Sequence, residues 1–372
     1  MSLSSSRIET PSAPWPRSLG LGLLAVDYTL LLTILTIIAI GLVVLYSASG
    51  ESVGALLRQG IRICVGLGAF FTLAQIPPRN LRVWTPWIFL AVLGMLLVVM
   101  LAGEIGGGAQ RWLSLGFVGF QPSEFMKLAV PMMVAWFLHE RTLPPRFGHL
   151  LVAGLIVGVP AMLVARQPDL GTAILIVAAG GLTVLLAGIS MRLITGAVVA
   201  GLVASPIVWH FMLDYQRARV WTFLDPESDP LGRGYNIIQS KIAIGSGGTF
   251  GKGWLAGTQA HLEFLPERST DFIFAVMGEE FGLLGLMTLL VLYLVLVGRG
   301  LYIAAEAQDT FTRLLAGSLS LMFFFYVFVN AGMVSGILPV VGVPLPLVSA
   351  GGTSIVTLLT GFGMLAAISR SR

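Results

Sequence analysis

The stretch FLPERSTDFIFAVMGEEFGLLG, residues 264–285, decides how the chain is read. Its first half is polar and its second half opens an apolar run, with Asp271 at the join ahead of Phe272, Ile273 and Phe274. The run extends from 271 to 298, more than the about 20 residues that cross a bilayer. A carboxylate at the mouth of such a run is costly to bury alone, so Asp271 either caps a helix or does chemistry. Asp favours helix starts. Ser269 and Thr270 could cap equally well, so capping does not require this acid.

The whole chain agrees with a membrane reading. Of 372 residues 56% are hydrophobic and 11% charged, and mean hydropathy is +0.90. Soluble domains carry about 25% charged residues, which excludes an ordinary soluble enzyme. The 45 glycines and 19 prolines fit helices that approach closely or break at depth. Net charge is +4, a basic excess that topology explains and that does not call for a nucleic-acid partner. Cys64 is the single cysteine, so no intrachain disulfide forms.

Apolar runs fall at 26–47, 55–76, 82–102, 122–138, 148–165, 169–188, 191–212, 271–298, 311–337 and 344–368. They predict an all-α membrane protein of ten transmembrane helices, with one large extracytoplasmic loop, 214–270, between the seventh and eighth. Alternating spans gather Arg7, Arg17, Arg79, Arg82, Arg141, Arg146, Arg192, Arg299, Arg313, Arg370 and Arg372 on one side. The positive-inside rule makes that side, and both termini, cytoplasmic. Without repeats or low-complexity tracts the chain reads as one domain, 1–372, with a polar cytoplasmic tail at 1–22. The loop is rich in Trp, Phe and Ile, so it is expected to pack back on the bundle.

Several polar motifs point outward. GSGGTFGKG, 245–253, looks like a phosphate loop, but Ser246 and Gly253 break that pattern and no strand precedes it. Its surviving meaning is a flexible turn, or a cradle in which glycine amides and Lys252 hold some other phosphate. DPESDP, 225–230, alternates acids like a calcium loop, yet Pro230 and Asn236 occupy positions that need Gly and Glu. It reads as a proline-pinned turn. Glu124 and Lys127 are three residues apart behind Pro122, so they share a helix face as an ion pair, structural or lining a polar cavity. Arg166 and Asp169 flank a proline and read as a local turn with a paired charge. Arg58, Arg62, Arg217, Arg219, Lys241, Lys252 and Arg268 all fall on the non-cytoplasmic side and suggest an anionic ligand, with phosphate the natural choice. The four histidines show no metal spacing. Glu279 and Glu280 lie eight and nine residues beyond Asp271, about 12–14 Å along a regular helix, and do not form a catalytic pair with it. Glu263 or Glu267 from the loop is the better second acid or anchor.

Four stretches carry a family resemblance: residues 234–280, AQRWLSLG…QPSEFMKLA (109–129), QPDLGTA (167–173) and NAGMVSGILPVVGVPLPLVSAGGTS (330–354). Together they resemble the SEDS proteins, the RodA, FtsW and SpoVE group, over nearly the whole chain beyond its tail. GKGWLAGTQ (251–259) and LEFLPER (262–268) look like the elongation member. The resemblance implies a peptidoglycan glycosyltransferase of the bacterial inner membrane that polymerises lipid II for cell elongation and rod shape. It implies a class B penicillin-binding protein as partner, beside other elongation-complex membrane proteins. The family's essential acid falls on Asp271, and its polar-cavity residues on Trp112, Glu124 and Lys127, with Arg111 adjacent. Ser269 stands where histidine is common and Ala350 where SYGG is usual, and neither departure removes a charge.

In the reaction implied, a sugar hydroxyl attacks an anomeric carbon and expels a lipid pyrophosphate. A base must receive the hydroxyl proton. Cations, or a divalent Mg or Mn ion, must meet the charge on the leaving group. Asp271 is the expected base. The rival reading, a flippase for the same lipid, favours charges at the midplane on broken helices with inverted repeats, and the sequence shows no repeat.

Overall fold

The structure, a computed structural model, describes residues 26–106, 109–114, 119–212, 214–225, 234–261 and 265–371. The chain runs α1 (Tyr28–Ala48), α2 (Val53–Ala74), α3 (Pro78–Ala102), then β1 (Glu104–Gly106), β2 (Ala109–Ser114) and β3 (Gly119–Phe120). Next come α4 (Pro122–Leu138), α5 (Phe147–Arg166), α6 (Leu170–Leu186), α7 (Met191–Phe211), α8 (Asp214–Leu224), α9 (Tyr235–Gly247) and α10 (Thr258–His261). The last three are α11 (Ile273–Glu306), α12 (Thr310–Val334) and α13 (Thr353–Arg370).

Every apolar run contains a helix, and the ten expected spans are matched in part. Among the described residues seven helices, α1, α2, α3, α5, α11, α12 and α13, are long and apolar enough to cross a membrane. Helix α6 is apolar but has 17 residues, and α4, also 17, carries Glu124 and Lys127 near its start. Helix starts follow local chemistry. Asp27, Ser52, Asp169 and Asp309 each accept from the backbone N–H three residues on, at 2.9 to 3.3 Å, and Pro78 and Pro122 open α3 and α4.

Two features depart from a purely helical reading. The 104–120 connection forms a three-stranded antiparallel sheet, with Glu104 opposite Trp112 and Leu113 opposite Phe120. Strands β1 and β3 have three and two residues, and the six of β2, AQRWLS, do not alternate apolar with polar. The run at 344–368 is helical only from Thr353, because Pro344, Pro346, Gly351 and Gly352 hold the preceding residues out of helix. The loop expected at 214–270 contains α8, α9 and α10, and α9 does pack on α11.

Unlike a soluble bundle, the protein is apolar both in its core and on its outer surface. Helices α4 and α12 are buried on most faces. Leu57, Ile61, Trp87, Leu90 and Leu155 of the outer helices are exposed, as a lipid boundary requires. The core joins Leu30, Ile34 and Ile37 of α1 to Phe70, Met126, Leu289, Leu315 and Leu359.

Helix α11 breaks at Gly282, where φ is 63°. The turn after α9 fills the break. Lys252 and Gly253 donate their amides to the Glu279 and Glu280 carbonyls at 2.9 and 3.0 Å, and Leu283 and Leu284 donate to the Gly248 and Thr249 carbonyls at 2.9 and 3.1 Å. Broken helix is tolerated at such depth only when neighbouring protein bonds the freed groups. A Cβ on Gly251, whose φ is +81°, would lie 2.1 Å from the Glu280 carbonyl oxygen, so that approach requires glycine. The 245–253 turn is therefore a backbone splint.

At the opposite end from that break, Asp27 meets Arg299 Nη2 at 2.7 Å and accepts from Ser369 at 3.2 Å, tying α1 to α11 and α13. Burial alone would raise the Asp27 carboxyl, but the hydrogen bond and charge of Arg299 hold it below the ordinary value. A depressed native pKa contributes stability above the unfolded value, lost as pH falls through the native one. Asp27→Asn is expected to lower the thermal midpoint at neutral pH. Its gap to wild type should close in acid below the native Asp27 pKa, as a pH series of melting curves would read.

Candidate active site

The first turns of α4, α6 and α13 and the segment that leads into α11 surround a cavity of about 630 Å³. The floor is α4. Pro122 starts it, and one turn later Lys127 Nζ donates to Glu124 Oε1 at 2.6 Å. Glu124 is 7% and Lys127 2% exposed, so each neutralises the other where water is scarce. Lys127 also stands 4.9 Å from the ring centroid of Tyr326 on α12.

One wall comes from the sheet and the start of α6. Arg111 on β2 donates to the Gln167 and Pro168 carbonyls at 3.3 and 2.5 Å and lies 3.8 Å from Asp169 Oδ2. Asp169 also caps α6 and accepts from Gln121 at 3.1 Å. The sequence reading assigned this acid to a turn with Arg166; the contact formed is with Arg111. Trp112 sits between the sheet and the 350–354 segment, within van der Waals reach of a Cβ on either Gly119 or Gly352.

The opposite wall holds the acids that lead into α11. Asp271 is half-buried and lines the cavity with Glu267 and Thr270. Thr270 donates its hydroxyl to Glu267 Oε2 at 2.6 Å. Gly342 faces Asp271: a Cβ built there would lie 3.5 Å from Oδ2, and its φ is +75°. Among the described residues two cations and four carboxylates line the space: Arg111, Lys127, Glu124, Asp169, Glu267 and Asp271. Glu124 pairs with Lys127 and Asp169 with Arg111, while Asp271 and Glu267 line the wall opposite. No group of three or more His, Cys, Asp or Glu that could hold a metal ion occurs among the described residues.

The cavity thus gathers Asp271, Arg111, Trp112, Glu124, Lys127 and Glu267 of the expected residues. Others sit elsewhere. Arg58 is exposed and Arg62 half-buried on α2, and Lys241 is exposed on α9 beside Gly336. Arg217 donates to the Trp209 and His210 carbonyls at 3.1 and 2.7 Å, closing the end of α7. Lys252 pairs with fully buried Glu279 at 2.6 Å, and Glu279 also accepts from Thr258 and the Gln259 amide. The glycine turn's amides and its lysine are engaged within the protein. Arg268 is half-buried near Gly50. Glu263 and the Arg219 side chain lie outside the described residues. Sequence reasoning missed Asp169, Gln121 and the 341–344 and 350–354 segments, whose signal was the Pro- and Gly-rich interruption of the final apolar run.

The family model for FtsW, RodA and SpoVE, described as cell cycle proteins, matches residues 28–372. The chain belongs to this family. Peptidoglycan glycosyltransferase MrdB of Escherichia coli K12 is 54% identical over 347 residues, covering 93% of this chain and 94% of its own. MrdB of Helicobacter pylori is 38% identical over 320 residues, 83% and 81% of the two chains. Among solved structures, a chain of a peptidoglycan synthase complex that coordinates polymerization and crosslinking superposes with TM-score 0.83 at 34% identity, over 94% of this chain and 99% of that one. RodA, the rod shape determining protein of Thermus thermophilus, gives 0.72 at 30% identity, over 94% and 98%. The RodA-like fold and the family's membrane setting make this a multi-pass membrane protein.

Proposed function

We infer that this SEDS protein is a peptidoglycan glycosyltransferase that works from the cavity around Asp271. The observation that carries the site is the meeting of Asp271 with a neutralised, buried Glu124–Lys127 pair in one cavity at the start of α4, α6 and α11. In this reading the substrate is lipid II and the product a glycan strand for elongation. The hydroxyl of the acceptor sugar lies against Asp271, which accepts its proton as the oxygen attacks the anomeric carbon of the donor. The C–O bond to the pyrophosphate breaks, and the departing charge is met by Lys127 and Arg111. Trp112 offers a flat apolar face to a sugar ring, and Glu267 positions the acceptor. The basic residues outside the cavity, Arg58, Arg62, Arg217, Arg219, Lys241, Lys252 and Arg268, act on long-range attraction of the anionic headgroup or on loop structure.

The reading extends to topology. All ten apolar runs cross the inner membrane, both termini are cytoplasmic, and 214–270 is extracytoplasmic, so the cavity opens where lipid-linked sugars are exposed. A class B penicillin-binding protein is the partner that crosslinks the strands, with other elongation-complex membrane proteins around it. The test is polymerisation of purified lipid II by the detergent-solubilised protein with that partner. Glycan chains support the reading. Absence of chains, with lipid II crossing liposomes carrying the protein alone, makes it a flippase instead.

Gly342→Ala probes the space beside the acid. A Cβ at φ +75° is strained by about 1–2 kcal/mol and sits against the carboxylate. Thermal unfolding should register the first effect. A fall in turnover larger than any change in KM, in the same polymerisation assay, should register the second.

A further inference from the structure

We propose that Asn330, buried in the last turns of α12, is the positioning residue that sets where the Asp271 carboxylate stands. Asn330 is 0% exposed, and its side-chain amide donates to two carbonyls, that of Asp271 at 2.9 Å and that of Val343 at 2.7 Å. Both partners are acceptors, so the amide nitrogen must face them. One group thus holds the acid's own backbone and the residue after Gly342, the glycine opposite the acid's Oδ2. The distance across that part of the cavity is fixed by a single planar amide.

The neighbouring contacts extend the same clamp. The Ser269 carbonyl accepts from the Ala350 amide at 2.9 Å, and the Thr270 carbonyl from the Ser349 hydroxyl at 2.5 Å. Three successive carbonyls, 269 to 271, are therefore held by groups outside the 264–272 stretch. Helix α11 starts after them, and its N-cap Phe272 makes no side-chain capping bond. Irregular backbone at this depth must be bonded by something. The Ser349 hydroxyl also accepts from the Leu345 amide at 2.7 Å, but of the three donors the Asn330 amide alone bonds both the Asp271 carbonyl and the residue beside Gly342. A purely structural role could be met by an apolar side chain and a helix begun earlier; a two-carbonyl bridge next to the acid fixes its direction as well.

The proposal rests on Asp271 being the base, and its test separates the two ideas. Asn330→Ala and Asn330→Ser, in the full-length protein with its transpeptidase partner and lipid II as substrate, are compared with Asp271→Glu and with the Asn330→Ala/Asp271→Glu double variant. Displacement of a catalytic group by about 1 Å costs about 10²-fold. Asn330→Ala is expected to lower kcat by that order with KM within about threefold of wild type. Asn330→Ser, which keeps one donor, should fall between. In the Asp271→Glu background, where the carboxylate is already displaced, Asn330→Ala should cost less than about tenfold, because residues that act through one another are not additive.

A folded Asn330→Ala protein with near wild-type kcat overturns the proposal. So does an equal fold-loss in both backgrounds. If neither Asn330 variant yields a monodisperse, cooperatively melting protein, Asn330 is a stability element and the proposal likewise falls. Full activity of Asp271→Asn, measured with Asn330 intact, removes the base assignment instead.

Discussion

Asp271→Asn is expected to slow glycan polymerisation by about 10²–10⁴-fold, the usual contribution of a positioned general base. The substitution is nearly isosteric. The backbone of residues 269–271 is held through carbonyl oxygens that accept from Ala350, Ser349 and Asn330, and none of those bonds involves the carboxylate. The thermal midpoint and association with the partner should therefore stay at wild-type values. What the amide lacks is the capacity to take a proton from the acceptor hydroxyl. KM should change little, because the lost interaction develops only as the hydroxyl is deprotonated. An Asp271→Asn protein that polymerises lipid II at the wild-type rate would sink the assignment. The base would then have to be sought at Glu267, the acid that lines the same wall of the cavity, by the same substitution to glutamine.

How far the sequence alone reaches can be judged at particular residues. Asp271 was legible because a charge at the mouth of an apolar run is costly, and cost is visible in one dimension. Glu124 and Lys127 were legible because helical spacing places residues three apart on one face. The helix starts at Asp27, Ser52, Asp169 and Asp309 follow rules confined to four consecutive residues. What escaped was long-range. Arg111 reaches Asp169 across 58 positions, and Lys252 reaches Glu279 across 27. Neither partner could be chosen from spacing, so a paired turn charge at Asp169, and a flexible turn or phosphate cradle at Lys252, were the local readings. The sheet at 104–120 escaped because β1 and β3 have three and two residues and the six of β2, AQRWLS, do not alternate apolar with polar. The non-helical 344–352 segment, which forms a cavity wall, was hidden inside an apolar run whose prolines and glycines outweigh its hydropathy. The break at Gly282 escaped for a related reason: one glycine in a helix pattern is ordinary, and only the incoming 248–253 backbone makes it a hinge of the structure.

Glu124→Leu and Lys127→Leu are each expected to destabilise the protein by about 3–5 kcal/mol, because each leaves its buried partner uncompensated. The pair is 2.6 Å apart and buried in the cavity floor, and Lys127 lies against the Tyr326 ring, so an ion left alone there is poorly solvated. The double variant Glu124→Leu/Lys127→Leu should recover much of that loss, since apolar side chains of similar volume remove the cost of burying both ions. Additivity would require the double variant to be the least stable of the three; strong coupling makes it the most stable. Activity should follow the opposite order of logic. With Lys127 gone, no ammonium remains on the cavity floor to meet the leaving pyrophosphate, and restored stability should not restore polymerisation. Melting curves and lipid II turnover on the three proteins read the two effects separately. A double variant that is both stable and active would reduce the pair to a device for burying α4 and leave Arg111 as the candidate for the phosphate among the described cavity residues. A double variant that is stable and inactive separates the two roles, and places the cost of ion burial in α4 on the side of catalysis.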